Sequence, residues 1–174
     1  MALGSGVTFV SGVAAQVTPA PDRDTIPSSQ QLRRAVEAAT ARAADAYRRQ
    51  DIDAFMPCPV PGEPRLRTFG GVVRTCAELR AEIEARMGRV HDPVLRVDID
   101  SLRVGADTGL VFTTQHFSRT VEDAQHASHC MATSVRHREV WVRDAGGWQS
   151  RFIEEISQPT VLLDGKAYAP QPRP

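Results

Sequence analysis

The stretch HASHCMATSVRHREVWVRDAGGWQSRFIEEIS, from His126 to Ser157, decides the fold. β-Branched and aromatic residues alternate with polar ones on both sides of Asp144-Ala-Gly-Gly147, whose glycines accept positive φ, so it predicts two long antiparallel strands joined by a turn. A strand repeats every two residues. His129, Met131, Thr133, Val135, His137, Glu139 and Trp141 therefore share one face unless a bulge intervenes. On the returning strand Arg151, Ile153 and Glu155 lie on one face and Phe152, Glu154 and Ile156 on the other. A long strand whose face mixes ionisable and apolar residues suits a sheet curled round a small-molecule pocket. The same alternation also suits the solvated outer face of an ordinary antiparallel sheet.

Upstream of this hairpin the chain reads as helices. After Pro19, Pro21 and Pro27, Ser28-Ser-Gln-Gln31 forms a capping-box pattern. Leu32, Val36, Ala39, Ala43 and Tyr47 then recur at helical spacing, with arginines on the remaining faces. Tyr47 is the one phenol on that alanine-rich stripe, and its hydroxyl needs a partner or an opening to a cavity. Gln50 to Phe55 begins a second short helix, which Pro57, Pro59, Pro61 and Pro64 end. Residues 65–73 predict a short hairpin turning at Gly70-Gly71. Thr75-Cys-Ala-Glu78 is a second capping box, and its helix presents Leu79, Ile83 and Met87 and stops at Gly88, a left-handed cap. Strands follow over roughly 94–104 and 109–121. Helices followed by long antiparallel strands define an α+β class. The expected organisation is a flexible arm over 1–28, one domain over 29–160, and a tail over 161–174 that folds back over a sheet edge or the pocket mouth.

Composition narrows the function. A chain of 174 residues fits one domain that buries roughly 70% of its unfolded surface. Its 21 acidic and 21 basic residues balance, so no global field draws it to nucleic acid or a membrane. No run of residues is apolar enough for a membrane helix. The first residues lack the basic start of a secretory signal, and a cytoplasmic location is expected. Cys58, Cys76 and Cys130 are odd in number and lack a CxxC pair, which predicts buried thiols. His116, His126, His129 and Cys130 lack the spacing of a metal site. No GxSxG elbow or phosphate-cradling loop is present. No cofactor or metal is expected.

Three motifs resemble the nuclear transport factor 2-like superfamily, which includes ketosteroid isomerase, SnoaL-type polyketide cyclases and the association domain of calcium/calmodulin-dependent kinase II. Tyr47-Arg-Arg-Gln-Asp51-Ile-Asp-Ala-Phe55 is similar to the junction of that family's first two helices. Gly70-Gly-Val-Val-Arg-Thr-Cys-Ala-Glu-Leu79 is similar to its glycine, loop and third helix. Glu139-Val-Trp141-Val-Arg-Asp-Ala-Gly-Gly-Trp148 is similar to its recurring hairpin. The resemblance covers residues 30–157. It implies a cone-shaped curved antiparallel sheet wrapped by three N-terminal helices, a ligand cavity at the wide end, and a homodimer through the outer sheet. It does not imply one chemistry. Met56-Pro-Cys-Pro59 departs from the family's acidic continuation, so an early base of the ketosteroid isomerase kind has no counterpart. Gln115, Glu139 and Glu155 fall where kinase association domains carry arginines.

Glu139 and Glu155, on neighbouring strands and matching faces, are the candidate catalytic pair, with His137 beside them. Two carboxylates in an apolar cavity repel each other and lose hydration, so one holds a proton while the other stays ionised. Such a pair moves a proton beside a carbonyl, as an isomerase, cyclase or dehydratase acting on a hydrophobic carbonyl-containing metabolite requires. Tyr47 is a candidate oxyanion donor, and Gln115, His129, Phe117 and Trp141 are candidate substrate contacts. Two other readings stand beside this one. The carboxylates could pair with Arg136, Arg138 or Arg151, and the domain could bind a ligand or assemble without catalysis.

Overall fold

The computed structural model describes residues 28–168. The amino-terminal arm with its proline linker, and residues 169–174, lie outside the described residues. Helix α1 (Ser28–Arg48) buries Leu32, Val36, Ala46 and Tyr47, and a short α2 (Ile52–Phe55) follows, capped by Asp51, whose carboxylate accepts from Ala54 N. Strands β1 (Pro64–Arg67) and β2 (Val73–Thr75) form the expected hairpin, with Gly71 at φ 83°. Helix α3 (Cys76–Met87) opens on the predicted capping box of Thr75 and Glu78. Its cap at Gly88 is right-handed, φ −69° and ψ −4°, which corrects the left-handed expectation. The chain runs on to Val90 within two residues, so no left-handed reversal is needed.

Strands β3 (Val90–Val104), β4 (Thr108–Glu122), β5 (Ser128–Asp144) and β6 (Gly147–Glu155) form the large sheet. β3 starts before its expected limit because the irregularity between His91 and Val94 absorbs Pro93, which has no N–H to give a ladder. The β5–β6 turn joins Asp144 to Gly147, with Gly147 at φ 102°. The strand order is β2-β1-β6-β5-β4-β3. The long strands pair antiparallel, and β1 lies parallel to β6, with Leu66 beside Ile153. The tail supplies β7 (Thr160–Leu163), paired with Met131–Ser134 of β5, and β8 (Lys166–Ala167). It therefore covers a sheet edge.

α1 lies across one face of the sheet, chiefly against β3. One core cluster joins Leu32 and Val36 to Val111 and Trp141; a second joins Tyr47, Met87 and Leu95, with Phe55 and Phe117 packed against it. The alternation of β5 sets this inner face, since Val135, His137, Glu139 and Trp141 are all buried while Arg136 and Arg138 are exposed. Helices packed against one side of a large curved sheet make an α+β cone.

The cysteines differ from expectation. Cys58 and Cys76 are joined as a disulfide with Cα atoms 5.7 Å apart, and Cys130 is free and exposed. Hydrogen bonds from Cys76 N to Glu63 O and from Ala77 N to Pro61 O fold the proline-rich loop onto the start of α3 and bring the two thiols together. Sequence spacing carries no trace of that fold-back.

At Gly109 α1 comes so close that a methyl group there would sit 2.5 Å from Leu32 Cδ2, and Leu32 is fully buried. Gly109→Ala should therefore lower stability in denaturant unfolding by about 1–3 kcal/mol. Gly62→Ala, with nothing within 4 Å of the added methyl, should leave it near wild type.

Candidate functional site

Glu139 and His137 are buried polar residues on the inner face, each 6% exposed. Both oxygens of Glu139 are engaged. Trp141 Nε1 donates to Oε2 at 3.0 Å, and the hydroxyl of Thr113 donates to Oε1 at 3.1 Å. Trp141 reaches back because residues two apart on a strand share a face; Thr113 reaches across because β4 and β5 pair it with His137. Gln115, one inner-face position further along β4, helps to favour the charged carboxyl. From β1, Arg65 donates to Ser150 O of β6, and its charge acts on Glu139.

Burial pushes the Glu139 carboxyl above the usual carboxylate range, opposed by the bonds from Trp141 and Thr113, the charge of Arg65 and the nearby amide of Gln115. Indole N–H can only donate, so Oε2 is fixed as an acceptor, and a proton taken up by Glu139 resides on Oε1. Burial moves His137 the other way, down to about 4, which leaves a neutral imidazole at physiological pH. Among the described residues its Nδ1 has no hydrogen-bond partner, nor do Ser150 Oγ and Trp148 Nε1 of β6. An acid-capable carboxyl and a neutral imidazole with a free nitrogen thus sit two residues apart on one buried face.

Glu139 and Glu155 do lie on neighbouring strands and matching faces, as expected, but offset by one pair along the face. Glu139 stands opposite Ile153, and Glu155 stands opposite His137, so the two carboxylates are diagonal rather than facing. Glu155 is only half-buried and accepts from Phe69 N at 2.9 Å, and burial is the chief cause that raises Glu139. Dehydration of one carboxyl does what repulsion between two was expected to do. Among the described residues neither forms an ion pair with Arg136, Arg138 or Arg151. Glu154, on the outer face, pairs with Arg138 and Arg67 instead.

Among the expected substrate contacts, Trp141 bonds the Glu139 carboxyl, and Gln115 shares its face on β4. Phe117 is the next inner-face residue after Gln115. The ring of Tyr47 packs on it, with centroids 5.5 Å apart, and on Phe55 at 5.2 Å. His129 does not belong to the group. It lies eight residues along β5 from His137, roughly 26 Å at strand rise, between Asp164 Oδ2 at 2.7 Å and Asp123 Oδ2 at 3.3 Å. Shared parity put it on the same face, but parity carries no information about distance along a strand. Thr113, Arg65 and Ser150 were not anticipated. Thr113 follows the same alternation as Gln115 and was legible in principle; Arg65 and Ser150 depend on the parallel β1–β6 pairing, which the sequence does not signal. An open cleft of about 360 Å³ on α3, lined by Cys58, Pro61, Ala77, Arg80, Ala81 and Glu84, shares no residue with the candidates. Among the described residues no His, Cys, Asp and Glu side chains converge as a metal site, and no helix is long and apolar enough to cross a membrane.

No protein-family model matches the sequence, and no curated protein does. Solved structures match along most of the chain. Aln2 from a Streptomyces species is 27% identical, with TM-score 0.54 over 73% of this chain and 91% of its own. A dehydratase candidate of the nuclear transport factor 2-like family from Streptomyces avermitilis is 16% identical, with TM-score 0.56 over 72% and 95%. A nuclear transport factor 2-like superfamily protein from Salmonella enterica serovar Typhimurium is 14% identical, with TM-score 0.55 over 83% and 98%. The cone of sheet and helices, with its polar group on the inner face of the longest strands, is the nuclear transport factor 2-like fold.

Proposed function

We propose that the inner face of the sheet is an acid–base site, and that the protein acts without a cofactor on a hydrophobic, carbonyl-containing metabolite as an isomerase, cyclase or dehydratase. The observation that carries this reading is the buried, unpartnered Nδ1 of His137 on the same face as the raised carboxyl of Glu139. A neutral imidazole holding its proton on Nδ1 can donate to a substrate oxygen and stabilise negative charge developing there. Glu139, ionised, takes the proton from the adjacent carbon through Oε1 once Thr113 yields; protonated, it returns that proton to another atom or to a leaving hydroxyl.

The full set of hydrogen bonds to Glu139 favours a second reading, in which the carboxyl is structural and the domain binds a ligand or assembles without catalysis. Deuterium exchange separates the two. 2-Tetralone, an apolar enolisable ketone, incubated in D2O with the wild-type protein should exchange its α-protons faster than in buffer, read by NMR. Glu139→Gln should lose at least about 100-fold of that acceleration, in the range typical of a general base, while Glu154→Gln keeps it. Equal exchange by wild type and Glu139→Gln would leave the carboxyl a structural role.

The histidine has its own signature. Its folded value of about 4 lies below the unfolded 6.5, so between these limits the unfolded chain binds more protons and stability falls with falling pH. Glu139, raised in the fold, works in the opposite sense, gaining its proton earlier in the folded chain as pH falls. Across pH 6.5 to 4, His137→Gln should therefore remove about 3 kcal/mol of acid-induced loss relative to wild type, measured by urea unfolding at each pH.

A further inference from the structure

On the opposite, outer face of the sheet, three neighbouring strands bring a serine, a histidine and an aspartate into line. Ser134 Oγ of β5 lies 2.8 Å from Nδ1 of His116 on β4, and His116 Nε2 lies 3.2 Å from Asp98 Oδ2 on β3. The registers explain the line, because Ser134 stands directly opposite His116, and Asp98 stands opposite Thr114, the next outer-face residue of β4. We propose that these three side chains form a nucleophilic site that cleaves esters of apolar acyl groups, separate from the inner-face site.

The roles follow from proton bookkeeping. Asp98, an acceptor when ionised, holds the His116 proton on Nε2, so Nδ1 is left to accept from the Ser134 hydroxyl. Ser134 Oγ bonds to the acyl carbon as Nδ1 takes its proton. The bond to the leaving alcohol breaks, and the alcohol departs with that proton. A water then gives a proton to Nδ1 as its oxygen attacks the acyl carbon, and Ser134 is released with its hydroxyl restored. One ester and one water thus give one acid and one alcohol. The nitrogens are used in the reverse order to the familiar Ser-His-Asp arrangement, and the chemistry requires only that serine and aspartate engage opposite sides of one ring.

Two arginines lie on the same face beside the line, each engaged with an aspartate. Arg96 stands opposite His116 and contacts Asp98 at 3.0 Å, and Arg136 lies two residues along β5 from Ser134, 3.5 Å from Asp100. The backbone amides of the paired strands are committed to their ladders, so the site suits activated esters and slow turnover. The acyl class comes from the adjoining row of the same face. Val94, Ser118, Ala132 and Leu162 are successive cross-strand neighbours from β3 to β7, and Val94 is 54% exposed. This row, apolar except for Ser118, begins one outer-face position from Ser134.

The test uses the full chain and two probes, an alkyl fluorophosphonate and p-nitrophenyl butyrate. The fluorophosphonate should add one mass increment to the peptide carrying Ser134, and the ester should release nitrophenolate in a burst approaching one equivalent. Ser134→Ala should abolish the label at that peptide. His116→Gln should slow labelling at least about 100-fold, and Asp98→Asn about 10-fold or more, with thermal unfolding of each variant unchanged as a fold control. Peptide mapping separates this signal from acylation of the exposed Cys130 thiol. An unlabelled Ser134, or equal labelling rates in wild type and His116→Gln, would overturn the proposal.

Discussion

A strand of seventeen residues, β5, lends one edge to β4 from Ser128 to Val142 and divides the other between β6 and β7. With its backbone groups committed on both edges, it cannot slip by one residue, and each side chain is fixed to its face. That constraint is what allows charge in the interior. His137 and Glu139 stay inside because moving them out would bring Arg136 and Arg138 in. The apolar anchors Val135 and Trp141 on the same face supply the burial that holds the register.

Glu139 embodies the tension this creates. Removing a carboxyl from water is costly, and the indole of Trp141 and the hydroxyl of Thr113 offset part of that cost without neutralising the group. A carboxyl held in this way responds to any hydrogen-bonding partner that replaces Thr113. The same alternation puts arginines, aspartates, His116 and Ser134 on the outer face, where solvent lowers the cost. Both faces of one strand thus carry titratable chemistry, dry on one side and wet on the other.

Period-two patterning and turn chemistry made the central hairpin readable from sequence, and the capping box at Thr75 and Glu78 placed α3. These are local signals, decided within a few residues. What escaped depends on contacts between distant segments. The parallel docking of β1 on β6 brings Arg65 to the site, and the fold-back of the proline-rich loop joins Cys58 to Cys76. The Ser134, His116 and Asp98 line needs two strand registers at once. The inner-face residues Glu139, His137, Gln115 and Trp141 were legible because alternation alone assigns them a side. The offset between Glu139 and Glu155 was not, because it turns on which residue stands opposite which. His129 shows the limit of parity most plainly, being on the right side and at the wrong end.

The position of His129 has a consequence for the strand as a whole. Its ring lies between Asp164 and Asp123, whose hydrogen bonds raise its affinity for a proton above the ordinary histidine value. That contact ties the β7–β8 turn to the β4–β5 turn. A raised value means the contact is at full strength below the unfolded value of 6.5 and weakens as pH climbs through the folded one. His137, in the middle of the strand, behaves oppositely. Acidification therefore does not act evenly along β5: it cinches the end where the carboxy-terminal segment docks, while in the middle of the strand the cost of charging His137 is set against the proton that Glu139 readily accepts.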